Sequence, residues 1–147
     1  VQFVHRPDFD LSTLAGPFDV ILSNAAFEHF DDVPHTVRQL SALAGPGAVV
    51  CCEIDLQTHS RWIREADPNN IYRYPDWLYR LFYFPGQPNR IRPAEYERWF
   101  REAGWVDLRL ERQNTFTPGH PSQAAGRFRQ DDRWDWLSFV LWGRRPR

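Results

Sequence analysis

Apolar and polar residues follow two different periods along this chain, and each period predicts one kind of secondary structure. Residues 18–23 form a nearly continuous apolar run, which is typical of a strand buried on both faces. Residues 33–43 carry apolar side chains at helical spacing, and residues 48–54 form a second buried strand. A strand, a helix and a strand in so few residues predict a βαβ unit, whose parallel strands end at the same sheet edge.

The same reasoning extends over the rest of the chain and predicts a mixed α/β domain. In chain order we expect the end of a strand at residues 1–4, a helix over residues 93–103, a strand over residues 105–112, a loop over residues 113–135 and a final strand over residues 137–142. Pro93 favours the first turn of its helix, and Gly104 favours its end.

A segment rich in aromatic residues, residues 57–92, separates the βαβ unit from the second predicted helix. Proline and asparagine interrupt it, so we expect little regular structure beyond a short helix within residues 76–84. A long aromatic segment beside a sheet edge is typical of a pocket wall. We therefore predict that residues 57–92 form a lid over a binding site.

The composition narrows the class of protein. The chain has 147 residues, of which 42% are hydrophobic, and a formal net charge of −1, so we expect one globular domain and neither nucleic acid nor an anionic membrane as a partner. No apolar run is long enough to cross a bilayer, and Cys51 and Cys52 fit core positions in a reducing compartment, which predicts a cytoplasmic protein. The chain holds no methionine and begins at Val1 within an apolar segment, which indicates part of a longer protein.

Polar side chains gather where the two predicted parallel strands end. Asn24, Glu28 and His29 follow the first strand, and Asp55 and His59 follow the second. Ligands of open α/β sheets bind at this edge. An imidazole titrates near neutral pH, so His29 is our candidate general base, and Glu28 is the candidate for orienting it or contacting a cofactor.

A second polar cluster, Asn89, Arg90 and Arg92, lies at the end of the aromatic segment. Arginine binds anionic oxygens through bidentate hydrogen bonds, which favours contacts with a sugar or a phosphate. An equally good interpretation is that an arginine ties the segment to Glu53 or Asp55.

Four stretches of the sequence resemble the C-terminal half of class I S-adenosylmethionine-dependent methyltransferases. Residues 18–30, FDVILSNAAFEHF, resemble the fourth-strand segment of that family, and residues 40–50, LSALAGPGAVV, resemble its turn into the fifth strand. Residues 93–105, PAEYERWFREAGW, are similar to the helix and turn before the sixth strand. Residues 137–147, LSFVLWGRRPR, are similar to the antiparallel seventh strand.

The resemblance implies the C-terminal half of a Rossmann-like sheet, with parallel strands and a final antiparallel strand. The family's glycine-rich cofactor loop and its ribose-binding acidic residue have no counterpart in the sequence, so residues 1–147 would be a single partial domain. The intact protein would bind S-adenosylmethionine, and this fragment would bind it weakly or not at all. Residues 54–60 and 88–96 further resemble a subgroup associated with polysaccharide and cell-surface glycan biosynthesis.

The same resemblance implies roles for individual residues. Asp8 and Phe9 would contact the adenine of the cofactor, and Asn24 and Ala25 would line its methionine end. The predicted catalytic pair is Glu28 and His29. The predicted substrate contacts are Asp55, His59, Asn89, Arg90 and Arg92. The implied function is methyl transfer to a small-molecule or glycan acceptor, with residues 57–92 as the lid of the acceptor site.

Other functions stay open at this point. A metal site built from His29, Glu53, Asp55 and His59 has no diagnostic spacing, so we assign no metal, and a metal-dependent hydrolase is the weakest alternative. The stronger alternative is a non-catalytic, truncated methyltransferase-like module. Its exposed sheet edge would pair with a second copy, giving a homodimer, or with a partner chain.

Overall fold

The computed structural model describes residues 3–6, 10–116 and 124–147 of the chain. The described strands form one sheet and are β1 (Phe18–Asn24), β2 (Ala44–Asp55), β3 (Val106–Thr115) and β4 (Trp136–Arg144). They lie in the order β1-β2-β4-β3. β1 pairs parallel with β2, whereas β4 runs antiparallel to both β2 and β3. The predicted α/β fold with a final antiparallel strand is confirmed.

Helices connect the strands. The α-helices are α1 (Val33–Leu43), α2 (Arg61–Ala66), α3 (Asp76–Leu81) and α4 (Pro93–Glu102), and short 3₁₀ helices span Phe27–His29, Asn70–Arg73 and Gly126–Gln130. α1 starts after Asp32, whose carboxylate accepts a hydrogen bond from the His35 backbone N–H at 2.8 Å. Within the described ranges, no helix combines the length and the apolar character that crossing a membrane requires.

One face of the sheet carries the hydrophobic core, to which α1 and α4 contribute. Val50, Cys52 and Ile54 alternate along β2 and are fully buried beneath these helices. The Trp105 indole N–H donates to the Ser41 hydroxyl at 2.7 Å, which joins the end of α4 to α1. This packing fixes the position of β2 and therefore of the polar residues at its end.

The opposite face of the sheet is open in the described part of the chain. Val20 and Leu22 on β1 are 57% and 75% exposed, and Trp142 on β4 is 41% exposed. Leu22, Cys51 and Trp142 lie in register across three strands and so share this face. The prediction that β1 is buried on both faces is wrong, because no described element covers this side.

Some predicted boundaries also differ from the structure. The described part of residues 1–4 has no regular structure, so the predicted strand is not found there. β2 begins at Ala44, ahead of the glycine-proline turn that was expected to precede it. The predicted loop over residues 113–135 includes the end of β3 and the 3₁₀ helix Gly126–Gln130. Residues 57–92 contain α2 as well as the expected short helix, α3.

Candidate functional site

The ends of β1 and β2 lie side by side, as the βαβ pattern predicts. Asn24, the last residue of β1, pairs in register with Glu53, and the Ala25 backbone N–H donates to the Glu53 carbonyl at 3.0 Å. Ala25 adopts a left-handed backbone conformation, with φ 46°, and Asn24 and Ala25 are both exposed. They form an accessible wall at the sheet edge. Asp8 and Phe9, the predicted adenine contacts, lie outside the described residues.

The 3₁₀ helix Phe27–His29 turns Glu28 into the protein interior. Glu28 is only 2% exposed, and neither of its carboxylate oxygens has a hydrogen-bond partner among the described residues. Burial raises the pKa of the Glu28 carboxyl, and the nearby backbone and His29 only partly offset this rise. Buried carboxylates without a partner are rare, because nothing compensates the loss of their hydration.

His29 extends from the same short helix towards the aromatic segment. Its Nδ1 atom lies 2.6 Å from the Gly86 carbonyl oxygen. A carbonyl oxygen only accepts hydrogen bonds, so Nδ1 carries the proton and Nε2 keeps a free lone pair. The sequence assigned the orienting role to Glu28, whereas in the structure the hydrogen bond that fixes this ring comes from Gly86.

The end of β2 supplies a second acid and a second imidazole. An Asp55 carboxylate oxygen accepts a hydrogen bond from the Gln57 backbone N–H at 2.9 Å, and the other lies 3.8 Å from His59 Nε2. Burial lowers the pKa of His59, although the Asp55 carboxylate favours its protonated form. The His59 and His29 rings meet edge to face, with 4.8 Å between their centroids.

These contacts join side chains from the two strand ends into one cluster. Glu28, His29 and His59 each present a ligand atom, and these atoms lie within 4.8 Å of one another. Asp55 borders the cluster through His59. Among the described residues Glu53 is not part of this cluster, and its backbone carbonyl binds the chain just after β1. The cluster combines two imidazoles with one buried carboxylate.

Asn89 links the aromatic segment to the short helix beneath the site. Its side-chain amide donates to the Phe27 carbonyl at 2.8 Å and to the Phe30 carbonyl at 3.1 Å. Its backbone N–H donates to the Glu28 carbonyl at 2.7 Å. Asn89 therefore fixes residues that carry the cluster, and contact with a substrate stays a prediction for it.

Arg90 and Arg92 are buried, with 3% and 4% of their surface exposed. Arg90 donates to the Tyr74 carbonyl at 2.7 Å and forms an ion pair with Asp76. Arg92 forms a buried ion pair with Asp131. These contacts match the interpretation that arginines hold the segment in place, although the partners are not the acids at the end of β2. A substrate role for either arginine stays a prediction.

The aromatic segment encloses a cleft of about 420 Å³. Its wall is largely apolar and includes Ile63, Ile71, Tyr74, Leu78, Phe82 and Phe84. The segment also contacts the site directly, because His59 and Gly86 both belong to residues 57–92. The structure thus places this segment beside the cluster, and its role as an acceptor lid stays a prediction.

Two contacts between the aromatic segment and the residues that follow β1 were not predicted. One is the Gly86 carbonyl that binds His29, and the other is the Tyr83 hydroxyl, which lies 3.0 Å from an Asp31 carboxylate oxygen. Gly86 has a φ of 81°, which suits glycine. The proline-glycine dipeptide predicts a turn here, but no sequence signal shows where its carbonyl points.

Comparison with known proteins indicates the family to which this chain belongs. A family described as a methyltransferase domain matches residues 1–110. Among curated proteins, none matches the sequence. The solved structures that resemble this fold include several S-adenosylmethionine-dependent methyltransferases.

Three of these structures show the extent of the likeness. A methyltransferase from Thermotoga maritima has a TM-score of 0.57 at 14% identity, over 92% of this chain and 59% of its own. A methyltransferase from Haloferax volcanii, in complex with the activator Trm112, has a TM-score of 0.52 at 20% identity. The match covers 95% of this chain and 60% of that methyltransferase. Phosphoethanolamine N-methyltransferase 2 from Haemonchus contortus, in complex with S-adenosylmethionine, has a TM-score of 0.53 at 12% identity. The match covers 88% of this chain and 34% of that enzyme.

The chain therefore spans less than two thirds of each of these relatives. Identities of 20% or less show a shared fold and do not identify a substrate. The matched family, in contrast, covers residues 1–110 of the 147. The chain belongs to this methyltransferase-domain family, and its fold is that of S-adenosylmethionine-dependent methyltransferases.

Proposed function

We propose that this chain is the C-terminal part of an enzyme that transfers a methyl group from S-adenosylmethionine to a small-molecule or glycan acceptor. The observation that carries the proposal is the contact between the His29 and His59 rings, which follow the ends of two parallel strands, with exposed Asn24 at the end of the first of these strands. In open α/β sheets this edge is where ligands bind. Membership of the methyltransferase-domain family supplies the class of reaction.

Asn24 and Ala25 fit one wall of a cofactor site. Both are exposed, and the hydrogen bond from Ala25 to Glu53 fixes the backbone between them and the sheet. S-adenosylmethionine supplies an electrophilic methyl group, and these two residues would hold its methionine end. Asp8 and Phe9 are the proposed adenine contacts. The glycine-rich loop of the family is not found in the sequence, so we expect the chain alone to bind the cofactor weakly.

His29 is the proposed general base for a hydroxyl acceptor. The Gly86 carbonyl holds the proton on Nδ1, which leaves the Nε2 lone pair available to accept one. A positioned base contributes about 10²–10⁴-fold to the rate, and orientation of the two reactants contributes more. Glu28 would act on His29 through the electrostatic interaction between the two neighbouring side chains.

The aromatic segment is the proposed acceptor side. Its cleft offers apolar and aromatic walls, on which the apolar face of a sugar ring or another small ring can pack. Asp55, just before the segment, and His59, within it, would form hydrogen bonds with acceptor hydroxyls. Asn89, Arg90 and Arg92 hold the segment in position, so their contribution to acceptor binding would be largely indirect.

A second candidate function is favoured by the open face of the sheet. Val20 and Leu22 leave apolar surface uncovered beside β2 in the described chain, and such surface is typical of an interface. The related methyltransferase from Haloferax volcanii was solved with an activator protein. A non-catalytic module that pairs with another chain therefore remains the alternative, and sedimentation would detect the association it requires.

Calorimetric titration with S-adenosylmethionine tests the leading proposal. We expect a chain extended upstream through a glycine-rich loop to bind one cofactor, and the 147-residue chain to bind far more weakly. Asn24→Ala in the extended chain should weaken binding about tenfold, the effect of losing one good hydrogen bond. Asn114→Ala on β3 is the matched control and should leave affinity unchanged. An extended chain that carries such a loop and binds no cofactor would contradict the proposal.

A further inference from the structure

The side chain of Glu28 poses a physical problem. It is 2% exposed, and both of its oxygens lack a hydrogen-bond partner in the described ranges. An ionised carboxylate in such surroundings is strongly destabilised unless a cation or several donors compensate it. The basic side chains of the described ion pairs are bound to other acids and not to Glu28. A cation bound beside Glu28 would supply this compensation.

Two imidazoles surround this carboxylate. Ligand atoms of Glu28, His29 and His59 lie within 4.8 Å of one another, although His59 is supplied by a different strand end. The Gly86 carbonyl occupies His29 Nδ1 and leaves Nε2 as the free ligand atom. One acidic oxygen and two imidazole nitrogens from two elements thus point to a common space.

We propose that Glu28, His29 and His59 bind a divalent cation of the zinc class. Zinc prefers imidazole nitrogen and carboxylate oxygen, and two histidines with one glutamate form a known three-ligand set for zinc sites with an open fourth position. Magnesium is the weaker candidate, because it prefers an octahedral shell of oxygen ligands. The donor set therefore selects a borderline transition-metal ion.

One hydrogen bond and one nearby carboxylate outside the three ligands support this assignment. Metal-binding histidines commonly donate their second ring N–H to a carbonyl or a carboxylate, which orients the ring. Gly86 does this for His29, and Asp55 lies 3.8 Å from His59 Nε2, where it can orient that ring or shift to the ion. The His59 side chain is 33% exposed, so an ion can enter from solvent.

The geometry requires only a small adjustment. Ligands about 2.1 Å from a tetrahedral zinc ion lie roughly 3.4 Å from one another. The three ligand atoms, now within 4.8 Å of one another, would close by at most about 1.4 Å through side-chain rotation. Because the metal and an acceptor proton would both use His29 Nε2, binding of the ion excludes proton acceptance by the same atom.

Metal titration tests this inference without the methyl donor, so its failure and a failure of methyl transfer are separate results. The full 147-residue chain, first freed of metal with a chelator, is titrated with Zn²⁺ in a calorimeter, and Co²⁺ serves as a spectroscopic probe. We expect one strongly bound equivalent of Zn²⁺ and visible absorption from tetrahedral Co²⁺. Mg²⁺ should bind far more weakly.

Matched variants identify the ligands. His59→Ala and His29→Ala should each weaken Zn²⁺ binding by roughly 100-fold, a loss at least as large as that seen when an outer hydrogen-bond partner is removed. His35→Ala, which removes an exposed histidine at the start of α1, should leave it unchanged. Cys51→Ser should also leave it unchanged and so exclude a thiol ligand.

Two results would overturn the inference. One is the absence of Zn²⁺ binding by a chain that circular dichroism shows to be folded. The other is an equal loss of affinity in His35→Ala and His59→Ala, which would indicate non-specific binding by surface histidines. His59 is partly exposed, so its removal should preserve the fold and keep the comparison valid.

Discussion

Cys51 and Cys52 are sequence neighbours on β2, yet the sheet gives their thiols different surroundings. Cys52 is fully buried in the core, and burial raises its pKa to about 12. Cys51 points to the open face and is partly exposed, and its pKa is raised by partial burial together with the Glu111 and Glu53 carboxylates. The prediction that both residues occupy core positions is confirmed for Cys52 and wrong for Cys51, which lies on the open face.

Thiol reactivity should separate the two residues. The thiolate is the reactive form, and raising the pH towards the pKa increases its fraction. At pH 8 a thiol with a pKa of about 12 is ionised in about one molecule in ten thousand, so Cys52 should not react in the folded protein. The measurement is labelling by a disulfide reagent: Cys51→Ser should remain unlabelled until denaturant is added. Rapid native labelling of that variant would show that the core opens.

Residue type alone could not assign the roles of the polar residues. The sequence identified His29 and His59 as side chains of the sheet edge, and the structure brings their rings to 4.8 Å. The sequence left two interpretations of Arg90 and Arg92 open. An arginine that binds a ligand and one that pairs with a buried acid cannot be distinguished from the sequence. The lack of a partner for Glu28 depends on tertiary packing and has no sequence signal.

Asn89 of the aromatic segment donates hydrogen bonds to the carbonyls of Phe27, in the short helix Phe27–His29, and of Phe30, just after it. Asn89→Ala removes these two bonds and those that its side-chain oxygen accepts from the Ile91 backbone N–H and the Tyr96 hydroxyl, so it should lower the free energy of unfolding by about 1–3 kcal/mol. Urea unfolding measures this change. Hydrogen exchange of the His29 backbone amide should also become faster, because the short helix is held less firmly. Asn70→Ala is the control, since its amide makes a single long contact, 3.3 Å to Asp67, in the same segment. An equal loss in both variants would contradict a specific link through Asn89.

Elements with strong end signals were predicted well. α1 spans the predicted residues 33–43, and α4 begins at Pro93 as expected, because an acidic cap and a first-turn proline define these starts. α2 was missed because none of its residues is buried, so it has no apolar period to detect. The start of β2 at Ala44 depends on pairing with β1, which periodicity does not specify.

In the part of the chain that the structure describes, the sheet has one face covered by helices and one open face. The sequence resemblance predicted the α/β architecture with its antiparallel last strand, because the strand segments and turns that carry the resemblance are local features of the sequence. The candidate site, in contrast, is formed by residues that are far apart in sequence. It requires the end of β1, the end of β2 and the turn at Gly86 to meet. Such convergence depends on how the aromatic segment packs, which no single stretch of sequence determines.

The open face should make the 147-residue chain self-associate, because Val20 and Leu22 expose apolar surface there. Analytical ultracentrifugation should show a concentration-dependent dimer, and Leu22→Lys should raise its dissociation constant at least about tenfold. Leu81→Lys is the matched control, since Leu81 on α3 is 69% exposed and lies away from the sheet face. A monomer at every concentration would count against association through this face.

The position of β4 affects how the protein is made. The ribosome synthesises β4 after β3, yet β4 lies between β2 and β3 in the sheet. At about 5–20 residues per second, β3 emerges a few seconds before the strand it must pair with. During that interval β2 and β3 each expose an unpaired edge to other nascent chains and to chaperones. Among the described strands, β4 is therefore made last, and it joins β2 to β3, which do not pair with each other.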